Sequence, residues 1–195
     1  MSRCINIMVD IETLGLDREY SPIVEVAMVP FVNTPFGFSE LNTPTHLQLS
    51  LNVKEQKRRH ADEETLKKHE EWGHDIKRYL NTGVNPYEAC EEIAEYVKPY
   101  LADYETVYFW CCGTDFDFPF LRYFYKQYGE GFYQDIFPFA RCLDCRTIYM
   151  VAQERSDFVR SYATDNAHSA LADCIWQIRE LDRAYKAITG YGDHK

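Results

Sequence analysis

Cys4-Ile-Asn-Ile-Met-Val-Asp10-Ile-Glu12-Thr13 is the stretch on which the fold turns. Cys4 to Val9 are apolar apart from Asn6, which predicts a largely buried strand that closes at a turn near Gly15. Asp10 and Glu12 stand two apart at its end, and period-two geometry puts both side chains on one face. Two neighbouring anions repel and lose hydration on burial, so the pair is costly unless something positive lies between them. A hard divalent cation meets that need. The alternative is that Glu12 already lies in the turn and both acids are solvated.

Outward from this strand, residues 23–32 read as a second strand. Residues 33–44 hold two Pro, one Gly, two Asn and two Thr and read as a loop. Leu47, Leu49, Leu51 and Val53 alternate with polar neighbours, which predicts a half-buried third strand and an antiparallel meander. Residues 61–80 are polar and helix-friendly. Asn85-Pro86 reads as an N-cap and first helical residue, after which Tyr87, Cys90, Ile93, Ala94, Val97 and Leu101 recur at helical spacing. Residues 106–111 read as a fourth strand, and 118–128 and 145–154 as helices. A last helix runs from about 169 to 185, with Ala172, Ile175, Trp176, Ile178 and Leu181 toward the core. The pattern predicts an α/β fold, a mixed sheet flanked by helices.

The 195 residues fit one domain, 1–195, and 46% hydrophobic content excludes a disordered chain. No apolar run is long enough to span a bilayer, and residues 1–6 lack a secretory-type apolar stretch. Seven cysteines, an odd count, predict free thiols in a reducing compartment, the cytoplasm. Cys142-x2-Cys145 is half a zinc site without a matching second pair. A net charge of −10 argues against nonspecific coating of nucleic acid, though not against an enzyme that grips a strand end.

Two further stretches carry acids. Trp110-Cys-Cys-Gly113-Thr114-Asp115-Phe116-Asp117-Phe118-Pro119-Phe120-Leu121 passes from the fourth strand into a helix. Either aspartate there is a plain helix N-cap or meets the Asp10/Glu12 pair, provided that the first and fourth strands are neighbours. In Asn166-Ala-His168-Ser-Ala-Leu-Ala-Asp173, positions 168 and 173 are about 140° apart on a regular helix. They converge only if His168 precedes the helix and Asp173 faces the sheet. Otherwise they are an ordinary surface pair.

Together, Asp10-x-Glu12, Asp117 and His168-x4-Asp173 resemble the DEDDh 3′-5′ exonuclease family. Gly113 to Pro119 with Leu121, and Asp144-Cys145-Arg146-Thr147, resemble the phage exodeoxyribonuclease A group and small exoribonucleases of mycobacterial type. Thr65-Leu66-Lys67-Lys68-His69 echoes a Thr-Ile-x-Trp-Trp segment of that group without its tryptophans.

The resemblance implies a ribonuclease H-like fold, with antiparallel strands one to three followed by parallel strands. It implies metal-dependent removal of nucleoside 5′-monophosphates from the 3′ end of single-stranded DNA or RNA, the wording of the second motif leaning toward DNA. Asp10, Glu12, Asp117 and Asp173 are then ligands of two Mg2+ or Mn2+ ions, with Asp10 between them, and His168 is the general base. Asp117 is selected because it follows Phe116, and Asp115 is its alternative. Implied substrate contacts are Thr13, Leu14, Phe116 and Arg146. Leu14 either wedges between terminal bases or is a core leucine, and Arg146 either pairs with Asp144 or holds a phosphate. A homodimer and the cytoplasm of a bacterium or phage-infected cell fit the same relatives. The competing reading is a nucleic-acid or partner-binding module on this fold without catalysis.

Overall fold

A computed structural model describes residues 3–41, 45–71, 73, 79–80, 82–130, 133–161 and 169–190. The strands are β1 (Cys4–Thr13), β2 (Ile23–Thr34), β3 (Gly37–Glu40), β4 (Leu47–Ser50), β5 (Thr106–Cys111) and β6 (Cys142–Asp144). The helices are α1 (Glu63–Glu71), α2 (Pro86–Asp103), α3 (Asp117–Tyr128), α4 (Tyr133–Ile136), α5 (Cys145–Arg155) and α6 (Ala170–Thr189). The sheet runs β3-β2-β1-β5-β6, with β4 also paired to β2. β2 lies antiparallel to β1, β3 and β4; β5 lies parallel to β1 and β6 parallel to β5. This is the mixed sheet that the sequence predicts.

The expected loop at 33–44 is in part a strand. β2 continues to Thr34, Pro35-Phe36 make a two-residue turn, and Gly37 pairs with Thr34. Gly37 has φ +120°, a conformation that side chains with a Cβ disfavour, which is how so short a link closes. β3 and β4 share one edge of β2, β3 along Phe31–Thr34 and β4 along Glu25–Met28. β4 ends at Ser50, short of the Val53 that alternation suggested.

The alternation of β1 distributes its side chains between two cores. Ile5, Ile7, Val9 and Ile11 pack with Ile93 and Val97 of α2 and Phe120, Leu121 and Phe124 of α3. Met8 packs on the opposite face with Cys145 and Tyr149 of α5 and Cys174, Ile178 and Leu181 of α6. The capping box at Asn85, whose Oδ1 accepts from the Tyr87 N–H and whose N–H donates to Glu88, fixes the start of α2.

α6 buries Ala170, Cys174, Gln177, Ile178, Leu181 and Ala184. Ala172, Ile175 and Trp176, expected in the core, are only half-buried. The stripe runs through small residues because the helix lies close to β1 and β2: the Cys174 Sγ reaches the carbonyls of Met8 and Ala27 at 3.7 and 3.6 Å. Among the described residues no helix is long and apolar enough to cross a membrane.

Candidate active site

β1 reaches further than β5. Its pairing with β5 ends at Met8 opposite Trp110, whereas its pairing with β2 continues to Thr13. Asp10 and Glu12 therefore stand on an overhang of the sheet, on the face toward α6. Gln177 of α6 donates from Nε2 to Asp10 Oδ1 at 2.7 Å. Asp173 is one helical turn before Gln177 and shares its stripe. Oxygens of Asp10, Glu12 and Asp173 all lie within 4.8 Å of one another.

Asp117, the first residue of α3, is 5% exposed. The backbone N–H groups of Asp117 itself and of Ile11, between the two acids of β1, favour its anion. The strand–helix corner that delivers it depends on Gly113, at φ +138°, where a Cβ would meet the Arg146 guanidinium at 3.0 Å. Asp115 points elsewhere. It is 82% exposed and pairs with Arg146 Nη2 at 2.8 Å, which holds it below the usual carboxylate range.

Electrostatics sets the cluster apart. Burial, then Asp117, Glu12 and Asp173, push Asp10 well above the normal carboxyl range. Burial and the charges of Asp173, Glu25 and Asp117 raise Glu12 to about 8, and a hydrogen bond to Asp173 adds to the rise. Burial raises Asp117 to about 7 against the hydrogen bonds that favour its anion. Among the described residues no lysine or arginine lies within salt-bridge reach of Asp10 or Glu12. The donor set is all hard oxygen and partly buried, which suits Mg2+ or Mn2+ and not a soft metal. Among the described residues no other acid, histidine or cysteine group meets the same geometry. All seven cysteines are free, Cys142 and Cys145 included.

The remaining expected contacts divide. His168 lies outside the described residues; Ser169, next in the chain, is the N-cap of α6. Leu14 corrects the wedge expectation, because it is fully buried with Val24 and Tyr79. Thr13 is also buried; its hydroxyl donates to the Gly15 carbonyl at 2.8 Å, and its own carbonyl meets His69 Nε2 at 3.1 Å. That contact gives the Thr65–His69 segment of α1 a place at the end of β1. Phe116 is half-buried against Phe120, with ring centroids 4.7 Å apart. Arg146 is shared between Asp115 and Asp144, and Asp144 also caps α5 and accepts from the Thr114 N–H.

Sequence reading missed two residues. Glu25 on β2 stands directly opposite Glu12 and is 1% exposed. Its Oε1 accepts from the Tyr79 hydroxyl at 2.7 Å and its Oε2 from the Ala170 N–H at 3.2 Å, so it secures the start of α6. The signal was available: a glutamate inside Ile23-Val24-Glu25-Val26-Ala27 is expensive to bury without partners. Gln177 gave no such signal, since a glutamine on a helix is ordinary until its partner is known.

The sheet and its flanking helices match exonuclease folds. Similar structures include an exonuclease I from Methylocaldum szegediense, at 14% identity and TM-score 0.66, over 98% of this chain and 41% of that one. The zinc-bound complex of E. coli exonuclease I with single-stranded DNA matches at 12% identity and TM-score 0.71, over 96% and 41%. The Mg2+- and Mn2+-bound form of S. pombe Pop2p matches at 12% identity and TM-score 0.61, over 97% and 86%. At such identities the likeness is one of fold, and this chain spans about two fifths of the length of these exonuclease I proteins. No curated protein matches the chain in sequence. The family model for the 3′-5′ exoribonuclease Rv2179c-like domain matches residues 5–184, and the chain belongs to that family.

Proposed function

We propose that the protein is a metal-dependent 3′-5′ exonuclease acting on single-stranded nucleic acid and releasing nucleoside 5′-monophosphates. One observation carries the reading: oxygens of Asp10, Glu12 and Asp173 converge within 4.8 Å at an overhang of the sheet. Asp117 completes the set, and its charge raises both Asp10 and Glu12. These four residues would hold Mg2+ or Mn2+, and we assign them two ions. Bound there, the cations supply charge neutralisation for the scissile phosphate and favour ionisation of the attacking water.

The chain's own groups supply the rest. Gln177 fixes the orientation of the Asp10 carboxylate, and Glu25 fixes the helix end that carries Asp173. His168 is the proposed general base and takes the proton of the attacking water; an unperturbed imidazole titrates near 6.5, suited to that task at neutral pH. Family membership favours RNA as the substrate. The DNA reading draws support from the single-stranded DNA held by the related E. coli exonuclease I fold. All four acids are present and three are clustered, which argues against a binding module that has lost catalysis.

The test is incubation of matched 5′-labelled RNA and DNA oligonucleotides with Mn2+ and then with EDTA. A ladder shortening from the 3′ end in Mn2+ alone, with 5′-monophosphates recovered, is expected. Intact oligonucleotides of both kinds in Mn2+ would overturn the proposal.

A further inference from the structure

A cleft of about 960 Å3 opens beside the exposed face of α3. Its walls include Arg18, Arg122 and Lys126 with Phe118, Tyr123 and Phe139. Among the described residues no carboxylate lines it, in a chain whose acids outnumber its bases 31 to 21. Among the described residues, none of the three cations has an acidic partner within salt-bridge reach. Arg122 lies over the Phe139 ring at 4.8 Å and the Lys126 ammonium over Tyr123 at 5.7 Å. Phe139 is 57% exposed, an apolar ring that the fold leaves in water. Thr114 and Phe118, also in the wall, lie three residues before and one residue after Asp117, at the corner that leads into α3.

From this juxtaposition we infer that the cleft is the lane for the substrate strand on the 5′ side of the terminal nucleotide. Single-stranded nucleic acid is the ligand class that matches both wall types: phosphates pair with Arg18, Arg122 and Lys126, and base faces stack on Phe139 and Tyr123. The volume is at the top of the range that encloses a drug-sized molecule, room for a short run of strand rather than one base. An acidic protein would use the cations and leave the aromatic faces without a matching partner. The inference rests on the exonuclease reading, because that reading sets the direction of the strand.

Two measurements separate the ideas. The first is fluorescence anisotropy of a 5′-labelled single-stranded 12-mer in Ca2+. The second is Mn2+-dependent hydrolysis of the p-nitrophenyl ester of thymidine 5′-phosphate, which has no upstream strand. Combined Arg122→Glu and Lys126→Glu substitutions are expected to weaken 12-mer binding at least tenfold. They should also make its salt dependence shallower by about 0.7 per lost contact, while ester turnover stays at the wild-type rate. Phe139→Ala, at an exposed position that threatens no core, is expected to weaken binding about fivefold without changing the salt slope. Wild-type affinity and salt slope in the charge-reversed protein would overturn the lane. Failure of the wild-type protein to hydrolyse ester or oligonucleotide would instead overturn the exonuclease reading, and the binding arm would still decide the cleft.

Discussion

Ile7, Val9 and Ile11 face the core beneath α2 and α3, while Met8, Asp10 and Glu12, one residue out of phase on the same strand, face α6. The first face stays apolar as far as Ile11. The second changes from a fully buried methionine to two acids within four residues. One backbone thus carries a surface optimised for packing and a surface held in electrostatic tension. The packed face makes the overhang rigid enough to hold the acids together, and the acids gain nothing for stability themselves. Stability and chemistry should separate cleanly by residue parity.

The largest effect belongs to the acidic face. Asp10→Asn or Asp173→Asn should lower exonuclease turnover about a thousandfold, matching the several kcal/mol that a bound cation contributes to the transition state. The metal-free melting temperature should not fall, because the substitution removes repulsion. Near wild-type turnover on single strands would break the contrast. On the other face, Ile7→Ala should cost about 2–5 kcal/mol in denaturant unfolding while the folded fraction keeps its activity.

A pH titration sharpens the comparison further. Glu12 and Asp117 sit near 8 and 7 in the fold, above their ordinary values, so the folded state holds protons that the unfolded chain releases. Metal-free stability should be highest below about pH 4.5 as far as these groups decide it. It should then decline as pH rises from there to 8. Added Mg2+ or Mn2+ should raise the melting temperature more at pH 8 than at pH 5. An equal rise at both would show that the acids are not what the cation meets. The smallest effect is that of Asp115→Asn: the residue is exposed and bound only to Arg146, so melting temperature and turnover should both stay close to wild type.

Much of this was legible in the chain itself. Period-two alternation in 4–13 placed Asp10 and Glu12 together, and helical spacing after Asn85 gave α2. β3 was hidden because Pro35 and Gly37 mark a turn but do not show that it is a two-residue hairpin turn. β6 has three residues, too few for any period to register. Leu14 could be read either way, since an apolar residue beside a site looks the same whether it serves the core or a ligand. Gln177 acts through Asp10, 167 positions away, and local sequence carries no trace of that pairing, whereas Glu25 shows only that it needs partners and not that they are Tyr79 and Ala170.

α6 is tied to the β2–β3 hairpin at two places. Glu25 takes the Ala170 N–H near its start, and Asp182 takes the Phe38 N–H at 2.9 Å near its end. A beam pinned at both ends has no freedom to roll or slide, and Asp173 lies between the pins. Adding or deleting one residue between positions 173 and 182 would demand a turn of about 100° somewhere along the rod. Either the far pin breaks or Asp173 swings off the sheet. The spacing between Asp173 and the contact of Asp182 with the hairpin thereby becomes a constraint on the acidic cluster, and this helix should tolerate substitutions far better than changes of length.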